Sequence, residues 1–378
     1  MKTAKTLLTG LLLTLLATQA VAKPLLVFVG AYAGNPDEGI TVYTMCDKTG
    51  ALIPTSILGG QKNPSFLEVH PSGKYLYAVN EIGNFNDEKN NGAISAYSLD
   101  ASTGKLELLN QQPTKGAAPC HVSISKDGKA ALVANYTGGS VISYKINKDG
   151  TLSKPISFHQ HEGSSVTPRQ KGPHGHAINL DPANKFAFAS DLGLDKILIY
   201  KFNSRNAKLT PHSEADLPPG SGPRHFAISQ DAKFAYSLNE MTSTITAFKS
   251  DAKNGSLSPI QTLSTLPTGY KPHNSTAEIR IHPNGKFLYS SNRGHDSIAV
   301  FKIHPDLGTL TPLQEQKTGG KTPRNFNITP NGKFLVAANQ NSHDIIVHSI
   351  DTETGLLTQT EHRVETPKPV CIRFLELE

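Results

Sequence analysis

Near copies of one short unit return along almost the whole chain, and this recurrence limits the possible folds more than any other feature. The clearest copy is GPRHFAISQDAKFAYSLNE, residues 222–240. Phe226 and Ile228 begin one alternating run, a polar turn follows at 230–233, and 234–238 form a returning run that ends at Asn239 and Glu240. An up-and-back pair finishes where it began, so Arg224 and His225 are expected beside Asn239 and Glu240. Complete copies also occupy 63–81, 118–136, 172–192, 275–293 and 322–340. A seventh is split, with KPVCIRF at 368–374 supplying one strand and LLVFVGAY at 25–32 the other.

Each copy is followed by two more alternating runs, giving four strands per period of about fifty residues, the pattern of a propeller blade. Such a blade cannot bury both faces alone but can do so in a ring. The chain has no Trp and places its 31 Gly and 25 Pro between short alternating runs, which also reads as all-β. The expected fold is therefore a seven-bladed β-propeller of four antiparallel strands per blade, with the C-terminal strand completing the N-terminal blade. Two β-sandwich domains would need a linker or a change of composition near the middle, and neither is present.

The first 22 residues read differently. Lys2 and Lys5 precede an apolar run at 7–16, and Ala20-Val21-Ala22 offers the small residues of a signal-peptidase site. Residues 1–22 are thus expected to be a cleaved signal peptide and 23–378 a single domain, exported most simply to a periplasm. The run is too short to span a bilayer, so no membrane association is expected after cleavage. Losing the two lysines takes the formal charge from +6 to +4, and no Lys/Arg block remains to face a nucleic acid. Cys46, Cys120 and Cys371 follow no metal-ligand spacing, and their odd number excludes a complete disulfide framework. Cys46 and Cys371 read as buried small hydrophobes.

Aligning the copies lists the residues of one rim. Second strands end at Asn80, Asn135, Asp191, Asn239, Asn292 and Asn339; first strands begin at Ser65, Cys120, His174, Arg224, Ala277 and Arg324. An Asn or Asp in every complete copy is what a turn-capping role would produce. The residues that vary between blades carry more information: His174, His176, Arg224, Glu240, Arg293 and Arg324 would gather cations, imidazoles and a carboxylate in one quadrant. In this alignment His176 takes the place of the apolar Leu67, Val122, Phe226 and Phe326, so it is either a core residue or one turned to the channel by a bulge, its copy being two residues longer. Forked arginine donors suit an anionic substrate and the oxyanion formed when a lactone carbonyl is attacked, while a carboxylate or imidazole can take a proton from water. Alternatively, the arginines serve as salt bridges between blades. His174 and His176 share a strand face, but no third and fourth metal ligand is evident, so no metal and no cofactor are expected.

The segments GPHGHAINLDPANKFAFASDLGLDKILIY, GPRHFAISQDAKFAYSLNE and AEIRIHPNGKFLYSSNRGHDSIAVF resemble the seven-bladed propeller lactonases, a family that includes bacterial 6-phosphogluconolactonases and fungal carboxy-cis,cis-muconate lactonising enzymes. The resemblance implies metal-independent chemistry by His176 (or His174), Arg224, Glu240 and Arg293, with Glu240 or His176 as base and the arginines as anchors. His174, His121, Asn135 and Arg324 would be further substrate contacts. It implies hydrolysis of 6-phospho-glucono-1,5-lactone or, given the export signal, of an unphosphorylated gluconolactone. The expected partner is a small anionic sugar lactone, and the protein is expected to be a monomer. A non-catalytic binding propeller and a muconate-type cycloisomerase are the alternatives, since fold alone does not fix function.

Overall fold

The structure, a computed structural model, describes residues 24–377. The signal-peptide expectation at 1–22 lies outside these residues. Seven four-stranded antiparallel sheets stand around a channel. Pro369–Glu376 is the inner strand of blade 1, followed outward by Pro24–Ala31, Gly39–Cys46 and Leu52–Gly59. The inner strands of blades 2 to 7 are Phe66–Val69, Pro119–Ile124, Gly175–Leu180, Pro223–Ile228, Ser275–Ile281 and Pro323–Ile328. Each touches the next, and Pro369–Glu376 touches both Phe66–Val69 and Pro323–Ile328, so the ring closes through the split blade as the repeat predicts.

Alternation along each strand sends one set of side chains to each neighbouring blade. The closing interface shows this: Val27, Val29 and Ile372 of blade 1 pack against Val336, Ala338, Ile345 and Val347 of blade 7. Tyrosines on second strands add a repeated polar stitch. The hydroxyls of Tyr77, Tyr236 and Tyr289 donate to the carbonyls of Gly150, Gly308 and Gly355, each in the outer turn of the following blade, at 2.9, 3.0 and 2.8 Å. These glycines have φ of +83°, +68° and +78°, a conformation that side-chain-bearing residues rarely adopt. Tyr289→Phe is expected to cost about 1 kcal/mol, the net worth of a hydrogen bond that leaves its acceptor unpaired, measured as a small fall in denaturation midpoint.

Two details differ from the sequence reading. A hairpin of Asn84–Phe85 and Glu88–Lys89 interrupts blade 2, turning through Asn86 and Asp87 at φ +52° and +63°. Cys371 is buried as expected, but Cys46, at the end of a strand, is partly exposed.

Candidate active site

In six blades the pairing of the first and second strands slips by one position near the rim. A bulge leaves an extra residue out of the ladder and redirects its side chain. The extra residues include Cys120, His176, Arg224 and Arg324, because Pro119 pairs with Asn135, Gly175 with Asp191, Pro223 with Asn239 and Pro323 with Asn339. His176, not His174, therefore stands in the place of Arg224 and Arg324. The place shared with Val122 and Phe226 belongs to Ile178. The two additional residues of this copy lie before the strand, which is why aligning on its start put His174 on the ring.

Glu240 is the centre of the mouth. Its Oε2 accepts from Arg224 Nε at 3.0 Å and faces Arg293 Nη2 at 3.1 Å, while Oε1 faces Arg169 Nη1 at 2.8 Å. His176 Nε2 lies 3.7 Å from Oε2, and its Nδ1 lies 3.6 Å from Cys120 Sγ. Arg224 Nη1 donates to the Ala277 carbonyl at 2.5 Å and Arg293 Nη2 to the Thr276 carbonyl at 2.7 Å, so blade 6 fixes both guanidiniums. Arg293 Nε–H is buried with no acceptor among the described residues.

Across the mouth a second cluster forms where the ring closes. Arg324 Nη2 donates to the Tyr32 hydroxyl at 2.7 Å, and that hydroxyl faces both Glu81 oxygens at 3.0 Å. Ser65 donates to Glu81 at 2.6 Å. Tyr32, Glu81, Arg324, His176 and Arg224 share the lining of a well with about 250 Å³ of empty volume. A wider groove of about 1270 Å³ runs along turns at the other ends of the strands, past Gln230, Asp231 and Asn284, away from this constellation.

Arg169 belongs to no blade. It sits in the short helical turn Pro168–Gln170, on the connection from blade 3 to blade 4. Gln170 anchors this connection through Asp195 Oδ1 at 2.8 Å and the Leu192 carbonyl at 2.9 Å. Arg169 Nε and Nη2 donate to the Tyr136 hydroxyl at 2.9 and 2.8 Å. His174 lies stacked on the Tyr136 ring, with its nitrogens 3.0 Å from the Tyr136 and Arg169 carbonyls. With a backbone carbonyl facing each ring nitrogen, His174 serves to clamp this connection and is not placed as a substrate contact.

Beneath the mouth lies a layer of paired polar groups. Arg224 Nη1 donates to His225 Nε2 at 3.1 Å, which leaves the proton on Nδ1, facing Glu278 Oε1 at 3.1 Å. Glu278 also accepts from Asn325, whose own oxygen accepts from the Ile372 amide at 2.9 Å. His121 is in this layer, its ring packed on Phe66 and His225, so it supports the floor and does not line the mouth. Asn135 is likewise no ligand contact. It is fully buried and donates to the Thr114 carbonyl and Ser140 Oγ, as Asn292 does to Thr265 and Asn239 to Thr244, so these amides cap turns in their blades.

Burial and charge set the protonation states. Burial would raise the pKa of Glu240, but Arg293, Arg224 and Arg169 outweigh it and hold the carboxyl at about 2. Burial, reinforced by Arg224 and His225, takes His176 well below 6.5, so its imidazole is neutral at pH 7. Burial pulls His225 down to about 4 against the opposing pull of Glu278, and His348 also to about 4. These two histidines bind protons more readily when unfolded. Their contribution to stability is full above pH 6.5 and is lost as pH falls towards 4. Melting temperature is therefore expected to be level above pH 6.5 and to decline between pH 6.5 and 4, well before Glu240 titrates; thermal melts across pH 4–8 check this.

A closed seven-bladed propeller carrying one ionised carboxylate, a neutral imidazole and several guanidiniums at a single mouth is equipped for acyl chemistry on small polar molecules. A family description, "Lactonase, 7-bladed beta-propeller", matches residues 26–374. The chain belongs to that family and is a lactonase. It is 32% identical over 348 residues to the 6-phosphogluconolactonase of Bacillus subtilis strain 168, covering 92% of this chain and 97% of the relative. It is 36% identical over 308 residues to a 6-phosphogluconolactonase of Formosa agariphila, covering 80% and 85%. The structure of a Pseudomonas aeruginosa periplasmic gluconolactonase superposes with a TM-score of 0.87 at 32% identity, covering 93% of this chain and 99% of that one.

Proposed function

We propose that this lactonase adds water to the carbonyl of a gluconolactone, glucono-1,5-lactone or its 6-phosphate, and that His176, Glu240, Arg224 and Arg293 carry the reaction. The observation that bears this reading is the Glu240 carboxylate held between Arg224 and Arg293 within 3.7 Å of a neutral imidazole. Glu240, with its pKa at about 2, is a poor proton acceptor near neutral pH, so the base is His176. With Nδ1–H towards the Cys120 sulfur, Nε2 takes the proton of the attacking water and Glu240 stabilises the imidazolium that forms. The carbonyl oxygen, becoming an oxyanion, meets guanidinium donors of Arg224 and Arg293, including the unpartnered Arg293 Nε–H. The ring oxygen then leaves with the proton from the imidazolium, giving the open hydroxy acid. Arg324, with Tyr32, holds the substrate from the opposite side of the well. The test is pH-stat titration of both lactones with purified protein; turnover of neither above the spontaneous rate would overturn the reading.

The protein acts outside the cytosol as a monomer in this reading. Support comes from the lysines, apolar run and Ala20-Val21-Ala22 of the first 22 residues, and the similarity to a periplasmic gluconolactonase accords with it. Mass spectrometry of periplasmic and cytosolic fractions is expected to find a mature chain starting at Lys23 in the former, and light scattering a single-chain mass.

A further inference from the structure

We propose that Arg169, held by Tyr136, forms a subsite for the charged far end of the substrate and selects lactones bearing a phosphate there. This inference rests on the lactonase reading of the mouth and extends it to a residue on the connection outside the repeat.

Exposure separates the three guanidiniums on Glu240. The side chains of Arg224 and Arg293 are 4% and 11% exposed, whereas Arg169 is 44% exposed. A dianionic phosphate keeps much of its hydration, so it belongs at a wet rim, and the carbonyl under attack belongs in the dry interior. Arg169 also stands apart by bonding. It meets Glu240 Oε1, whereas Arg224 and Arg293 both meet Oε2, which places it across the carboxylate from the proposed oxyanion donors.

Charge points the same way. Glu240 offsets one of its three guanidiniums, leaving two positive charges in this half of the mouth, whereas across the well Arg324 faces Glu81 through Tyr32. Glu240 retains Arg224 and Arg293 if Arg169 turns away, so its bond to Arg169 can be exchanged for one to a ligand. Three N–H groups of Arg169 are used on Tyr136 and Glu240, and a guanidinium has five, so one N–H on Nη1 and one on Nη2 remain for a ligand. The His174 clamp and the Gln170 anchor hold the backbone of Arg169 in place while its side chain changes partner.

The test compares wild type, Arg169→Gln and Arg169→Lys on glucono-1,5-lactone and on its 6-phosphate, with calorimetric Kd values for gluconate and 6-phosphogluconate. Wild type is expected to bind 6-phosphogluconate at least tenfold more tightly than gluconate. Arg169→Gln should reduce the phosphate preference in kcat/KM by at least tenfold, mostly through KM, and Arg169→Lys should restore part of it. Equal wild-type affinity for the two products, or the same fractional loss on both lactones, would overturn the subsite. Should Arg169→Gln fail to fold, the wild-type Kd pair and the Lys variant still decide. Hydrolysis of either lactone without a phosphate preference would sink the subsite alone, whereas hydrolysis of neither would sink the functional reading itself.

Discussion

Replacing His176 by asparagine is expected to lower kcat/KM for gluconolactone by about 10²- to 10⁴-fold, the usual contribution of a positioned general base. The expectation follows from its state and its place. The imidazole is buried, neutral at pH 7 and turned into the mouth by the bulge between Gly175 and Ala177, with Glu240 3.7 Å away to stabilise the charge it acquires. Asparagine keeps a polar group of similar reach but cannot take the proton. A second readout separates this from a packing effect. Wild-type kcat/KM should be level across neutral pH and fall only well below pH 6.5, as the depressed His176 pKa requires, because protonation removes the base. The residual activity of the variant should lack that acid limb. Retention of more than a tenth of wild-type activity, or an unchanged acid limb, would assign the proton to another group.

The sequence carried the ring and most of the mouth, for physical reasons that also explain what it hid. Alternation, turns and period are local properties, so seven blades and their closure through 25–32 and 368–374 could be read from apolar spacing alone. Arg224, Glu240 and Arg293 were legible because each puts a charge at a repeat position whose residue varies between copies. His176 was ambiguous because a bulge alters register without leaving a composition signal, and here the two extra residues precede the strand. Arg169 could not be seen at all, since it lies in a connection that repeats nowhere else and its partner Glu240 is far away in sequence. The Tyr32–Glu81–Arg324 cluster had its parts among or next to the rim positions, but its meaning depends on the ends of the chain meeting. Asn135 misled in the opposite direction: an amide near a mouth resembles a ligand contact, and its burial among Thr114 and Ser140 shows that it caps a turn.

Glu240→Gln is expected to affect stability as well as rate, and this distinguishes it from the His176 variant. A neutral amide keeps the shape but leaves three guanidiniums without the charge that holds them together, two of them nearly inaccessible to water. Removing one partner from a buried ionic cluster typically costs about 3–5 kcal/mol, because the remaining charges stay desolvated and uncompensated. The melting temperature at pH 7 should therefore fall by several degrees, and kcat/KM should fall by about 10²-fold or more as the arginines lose their aim and the imidazolium its counter-charge. Adding Arg169→Gln to Glu240→Gln should destabilise less than the sum of the single changes, since each removes the partner of the other at Oε1. The coupling should be weaker in high salt, because Arg169 is the exposed member of the group. Wild-type stability in Glu240→Gln would mean that the arginines are held mainly by the carbonyls of Ala277 and Thr276, and that the carboxylate acts on the substrate alone.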